Sequence, residues 1–152
     1  MKSITDEKMG KVTTQITVTN LVDQILADRQ FIAADQIRSR TLADVLVDTE
    51  ATRLCLPADL IEQLGLTLQG EVDVKIAIGV KRARIFKGLN LTVEGREGTF
   101  NCLELPAGEA PLLGLIPLED LGLEPDLQNQ CLRHLPMQGK DTYLTILRSL
   151  EC

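Results

Sequence analysis

The chain has 152 residues, enough for one domain that buries roughly 70% of the surface its unfolded form exposes. Acidic residues outnumber basic ones 22 to 16, and the net charge of -6 repels phosphate backbones and anionic lipid headgroups. Aromatics are 3% with no tryptophan, which leaves no stacking platform for a nucleic acid and no aromatic belt for a membrane, so neither is expected as a partner and the core must be aliphatic.

Residues 11–20, KVTTQITVTN, alternate Val12, Thr14, Ile16 and Val18 with polar positions and predict a first strand. Residues 21–40 space Leu21, Val22, Ile25, Leu26, Phe31, Ile32 and Ile37 loosely, as a helical or irregular excursion. Residues 41–48, TLADVLVD, return to strand, and the run Val45, Leu46, Val47 predicts burial on both faces. Pro57 then opens a helix that stops at Gly65. Strands follow at 71–78, 80–87, 89–94 and 99–105, folded into two hairpins that turn at Gly79 and at residues 95–98. A second helix runs from Pro117 to Gly122, and a last hairpin turns at Gln128 and Asn129, bringing Cys131 and Leu132 back along the sheet. Beyond Pro136, residues 141–150 read as helix or strand, with Asp141 a candidate cap.

Two segments are versions of one phrase. LPADLIEQLGL (56–66) and IPLEDLGL (116–123) each pair a proline with a short acidic helix ending Leu-Gly-Leu, which suggests two related halves about an internal pseudo-twofold axis. The fold class expected is therefore all-β, or mainly β, with two short helices.

No apolar run approaches the ~18 residues of a membrane span, and MKSITDEKMG carries charges where a secretory signal needs its apolar stretch. The four cysteines, Cys55, Cys102, Cys131 and Cys152, include no C-x-x-C pair and His134 is the sole histidine, so a spaced zinc site is excluded and free thiols are the default. A cytoplasmic protein is expected. Cys55 and Cys102 sit in apolar runs and read as core filling; His134 reads as a surface residue.

Asp48 ends an apolar strand, where a carboxylate is expensive unless hydrogen-bonded or paired. Taken with VLVDTEAT (45–52), LCLP (54–57), the helix ending QLGL and PLLGLIPLEDLGLEPD (111–126), it makes the chain resemble the retropepsin-like aspartic peptidases, and within them the small bacterial branch. The resemblance runs over about 12–135. It implies a closed barrel over residues 11–135, with 1–10 an N-terminal arm and 136–152 a C-terminal extension. It also implies a homodimer and no metal or organic cofactor. Asp48 would be the catalytic residue, Thr49 would grip the partner subunit's loop, and Glu50, Ala51 and Thr52 would complete the active-site loop. Leu112, Leu113 and Gly114 would cross behind that loop. Ile78, Gly79 and Val80 would form the tip of a flap over an extended peptide or protein substrate.

The chain supplies one such aspartate, so the shared-proton mechanism, in which one carboxylate activates water and the other protonates the scissile carbonyl, requires two subunits. The family's glycine is here Glu50, which adds a Cβ and a charge. Two functions follow: an aspartic endopeptidase, or a catalytically silent peptide-binding or dimerisation module. The plain alternatives are a strand-end Asp48 that only caps its turn, a solvated Glu50 or one paired with Arg53, and an ordinary β-turn at Gly79 whose Lys81, Arg82 and Arg84 meet an acidic substrate or partner.

Overall fold

Alternation carries the chain directly into β1 (Thr13–Asn20), with Thr14, Ile16 and Val18 turned inward and Thr13 and Gln15 outward. The structure, a computed structural model, describes residues 11–136; the arm at 1–10 and the expected element at 141–150 lie outside the described residues. Asn20 ends β1 and caps α1 (Leu21–Asp28), its Oδ1 accepting the Asp23 backbone N–H at 3.0 Å. Asp23 then draws the chain back: its carboxylate accepts the Arg38 backbone N–H at 3.0 Å, Nε at 2.8 Å and Nη2 at 3.0 Å. The excursion thus resolves into a helix and a 3-10 turn (Ala34–Gln36) leading to β2 (Ser39–Val47), antiparallel to β1.

The remaining elements are β3 (Leu54–Pro57), α2 (Ala58–Leu64), β4 (Thr67–Ile76), β5 (Gly79–Val93), β6 (Arg96–Leu105), β7 (Leu112–Leu113), α3 (Leu115–Leu121), β8 (Leu123–Asp126) and β9 (Cys131–His134). The fold is mainly β, as the alternation predicts. Its principal sheet runs β1-β2-β7-β3-β6-β5-β4, and β1 pairs again with β5, so the sheet is ring-like with β4 left at an edge. Inside lie Ile16, Val18, Val45, Leu54, Leu56, Leu89, Leu91 and Leu113, capped by Leu64 and Leu118 of the helices.

The repeated phrase has a repeated setting. β2 pairs parallel with β7, β6 pairs parallel with β3, and the two pairs meet at one antiparallel contact, Cys55 opposite Leu112. α2 follows β3 and α3 follows β7, and each helix ends on a left-handed glycine, Gly65 at φ 64° and Gly122 at φ 67°.

Several expectations are corrected. There are three α-helices among the described residues, not two, because Asn20 caps a helix in the excursion. α3 begins at Leu115, two residues before Pro117. The strands expected at 80–87 and 89–94 are one: Gly88, at φ 84°, absorbs a bulge between Phe86 and Leu89 instead of a turn. The second hairpin turns on Glu94 and Gly95, both at positive φ, with Val93 opposite Arg96. Leu46 is only half-buried, since alternation turns it away from buried Val45 toward the outer face of the ring. β9 pairs with β8 in a separate two-stranded sheet. Cys55 and Cys102 are free and buried, but Cys131 is disulfide-bonded, against the expectation of free thiols. Among the described residues no helix is long and apolar enough to cross a membrane.

Candidate active site

β2 delivers Asp48 into a loop that the second half of the chain holds from behind. The Asp48 N–H donates to the Leu113 carbonyl at 2.9 Å, and the Leu115 and Ile116 N–H groups donate to the Ala51 and Thr52 carbonyls at 2.8 and 2.9 Å. Between them Gly114 passes so close that a Cβ there would lie 2.3 Å from the Arg53 carbonyl oxygen and 2.7 Å from that of Ala51. The loop is also tied to itself: Asp48 Oδ1 accepts the Glu50 N–H at 3.0 Å, and the Asp48 carbonyl accepts the Ala51 N–H at 3.1 Å. Asp48 and Ala51 are half-buried, while Thr49, Glu50 and Thr52 are exposed. Glu50 is not among the non-glycine residues at positive φ, which are Gln30, Asp44, Glu94 and Gln130. The turn therefore accepts a side chain at position 50, and what Glu50 adds to the loop is charge.

A cleft of about 520 Å³ opens beside the loop. Glu50, Ala51, Thr52 and Arg53 form one side, Cys55, Leu112, Leu103 and Leu105 the floor, and Val72, Asp73, Val74 and Lys75 of β4 the opposite wall. Asp48 lies next to this lining rather than within it. Its charge still reaches the cleft: Cys55 is pushed up to about 11, by burial first and by Asp48 second. Burial likewise raises Cys102 to about 12, so neither thiol offers a thiolate nucleophile near neutral pH.

The structure brings Asp48, Thr49, Glu50, Ala51 and Thr52 together with Leu112, Leu113 and Gly114. Ile78, Gly79 and Val80 sit elsewhere, at the exposed tip of the β4–β5 hairpin, with Ile78 93% exposed; the arm at 72–75 is what borders the cleft. Glu50 does not pair with Arg53, which instead donates from Nη1 to Asn101 Oδ1 at 3.1 Å. The basic cluster on the hairpin is largely answered from within: Arg82 faces Glu71 at 3.2 Å and Asp73 at 3.6 Å, and Arg84 grips Glu104 through two bonds of 2.9 and 2.7 Å. His134 is half-buried, its Nε2 at 2.9 Å from the Glu94 carbonyl. Among the described residues no three His, Cys, Asp or Glu side chains gather where they could hold a metal.

Sequence reasoning missed the cleft roles of Arg53, Val72 and Val74. The alternation GEVDVKI announces β4 as one wall of something half-buried, and Arg53 is the one charge between the loop and the apolar LCLP; nothing in the sequence placed Asn101 across from it. The chain matches none of the known family models, and comparison with curated proteins likewise finds no match.

Proposed function

We propose that this protein is a retropepsin-like aspartic endopeptidase that works as a homodimer, with Asp48 of each subunit meeting at a twofold axis. The observation that carries the reading is the support of the Asp48 loop: a half-buried carboxylate leaves a core strand, and a second strand crosses behind it so closely that only glycine fits at Gly114. Such stitching fixes a carboxylate that is not consumed in an ion pair among the described residues, which is what acid–base work on a peptide bond needs.

In the dimer, two adjacent carboxylates resist double ionisation and share one proton. The ionised member takes a proton from water as that water attacks the scissile carbonyl, and the protonated member donates to the carbonyl oxygen. Substrate binding follows from β4, which lines the cleft and, among the described residues, pairs on one side only, with β5; an extended peptide can add to its other edge through backbone hydrogen bonds. Side chains of the peptide would meet Val72, Val74, Leu103 and Leu105.

One observation favours a second reading, a catalytically silent peptide-binding dimer: exposed Glu50 places an additional carboxylate one turn residue from Thr49 in each subunit, next to the pair that must share a proton. Both readings are tested together by native mass and by digestion of a mixed peptide library from about pH 3 to pH 8. The peptidase reading expects a dimer that cleaves and an Asp48→Asn variant that dimerises without cleaving. A monomer at working concentrations, or cleavage that survives Asp48→Asn, overturns it; a dimer that binds peptides and cleaves none establishes the silent form.

A further inference from the structure

One charged side chain reaches the otherwise apolar floor of the cleft. Alternation puts Leu54, Leu56 and Cys102 in the core and turns Cys55, Leu103 and Leu105 to the cleft, with Arg53 and Asn101 on that same cleft-facing side. Arg53 is half-buried, and its partner Asn101 is a neutral amide that orients the guanidinium without cancelling its charge. Other arginines are treated differently. Arg38, Arg82, Arg84 and Arg133 face the carboxylates of Asp23, Glu71, Glu104 and Glu124, and Arg96 bonds to three backbone carbonyls. Arg29 and Arg40 have no ion pair among the described residues but are exposed. Among the described residues, Arg53 alone is a half-buried guanidinium in a cleft with neither a carboxylate nor a set of carbonyls to satisfy it.

We propose that Arg53 is a specificity-determining residue that selects an acidic side chain, Glu or Asp, in the extended peptide bound along the cleft. The proposal deepens the peptidase reading by naming the substrate class of the same site. The remaining N–H groups of Arg53 suit a carboxylate's two oxygens, and the apolar floor around them lowers the dielectric in which that bond forms. Charge along the loop sets the register. Glu50 repels an acidic side chain at the Asp48 end, Arg53 attracts it three residues further along, and Asp73 on the far wall is already engaged by Arg82. Asn101 acts through Arg53 and is a positioning residue.

The test uses full-length Asp48→Asn protein, titrated with labelled peptide libraries that differ only in Glu, Gln or Lys at a scanned position. Glu members should bind roughly tenfold more tightly than their Gln counterparts at one position. Arg53→Gln should erase that preference and Arg53→Glu should turn it toward Lys. Asn101→Asp should also erase it, by handing Arg53 an internal carboxylate while Arg53 itself stays in place; unchanged thermal melts confirm that these variants fold. A Glu preference that survives both Arg53→Gln and Asn101→Asp overturns the proposal, as does a protein that binds no library member. The two readings separate cleanly. Asp48-dependent cleavage by the wild type with no acidic preference defeats the subsite alone, whereas an Arg53-dependent Glu preference without cleavage defeats the peptidase reading and leaves the subsite standing.

Discussion

The two halves that carry the repeated Leu-Gly-Leu phrase end their helices alike and hold those ends by different chemistry. At the end of α2, the Leu64 and Gly65 carbonyls accept from Asn20 Nδ2 at 2.8 and 3.4 Å, the same side chain that caps α1. At the end of α3, the Leu121 and Gly122 carbonyls accept from Arg96 Nη1 at 2.9 and 2.7 Å, and Nη2 reaches the Leu135 carbonyl at 3.1 Å. Either a neutral amide or a cation can satisfy the orphan carbonyls of a short helix. The cation has a cost, since burial pulls the Arg96 guanidinium below its ordinary range. The halves also divide the labour around the site: the first presents the Asp48 loop, and the second supplies β7, Gly114 and the start of α3 as its backing.

That division is most sharply broken at Gly114. A Gly114→Ala variant must push the Arg53 and Ala51 carbonyls aside, so it should lose upward of about 4 kcal/mol in urea denaturation together with the proposed Asp48-dependent hydrolysis. Gly70 is the control: it is not at positive φ, and a Cβ there meets nothing within 4 Å, so Gly70→Ala should stay within about 0.5 kcal/mol of the wild type. Equal losses at the two glycines would mean that the second half does not support the loop.

The next effect in size separates two leucines that read alike in the sequence. Leu113 is fully buried, and Leu113→Ala should cost about 3 kcal/mol; Leu46 is half-buried, and Leu46→Ala should cost about 1 kcal/mol, both read from denaturant midpoints. The apolar run Val45, Leu46, Val47 looked like a strand covered on both faces, but the run does not say whether the second face has a layer to meet. The same blindness joined and divided strands elsewhere. Gly88 punctuates KGL like a turn, and only the pairing of β5 across it with β6 distinguishes a bulge. What was legible depended on local chemistry: Asp48 after an apolar strand and the glycine that closes each short helix carry their physical reason within a few residues. The Arg53–Asn101 bond and the Asp23–Arg38 fork join residues 48 and 15 positions apart, and no local pattern announces them.

A smaller effect distinguishes the halves by pH. Asp23 is held below the usual carboxylate range, chiefly by its side-chain bonds from Arg38, and the Arg38 guanidinium lies where a Cβ on Gly65 would be. A carboxylate whose folded-state value is depressed contributes stability that is complete above its unfolded value, near pH 4, and lost as pH falls through the folded one. Among the described residues no carboxylate takes part in the Arg96 end of α3. Hydrogen-exchange protection, corrected for intrinsic rate, should therefore fall at the C-terminal end of α2 between about pH 4 and pH 2 before it falls at the end of α3. Asp23→Asn should remove the difference; if both ends loosen together with Asp23 intact, the two helix ends are held by one cooperative unit.

The smallest expected effect lies at Glu50, where the loop of the first half departs from the proposed retropepsin-like pattern. Because Glu50 is exposed and its φ is ordinary, replacing it relieves no backbone strain, and in the proposed dimer its influence on the two Asp48 carboxylates would be that of a solvated charge, worth about 1 kcal/mol or less. Glu50→Gly should therefore raise hydrolysis of a mixed peptide library by about two- to fivefold, and Glu50→Gln, which keeps the side chain and removes the charge, should raise it equally. A rise with Gly but not with Gln would trace the effect to the freedom of the turn, against the φ seen here. A fall in both variants, in protein that still forms the proposed dimer, would assign Glu50 a part in the chemistry: a carboxylate that helps manage the shared proton, standing where the proposed retropepsin-like pattern has a glycine.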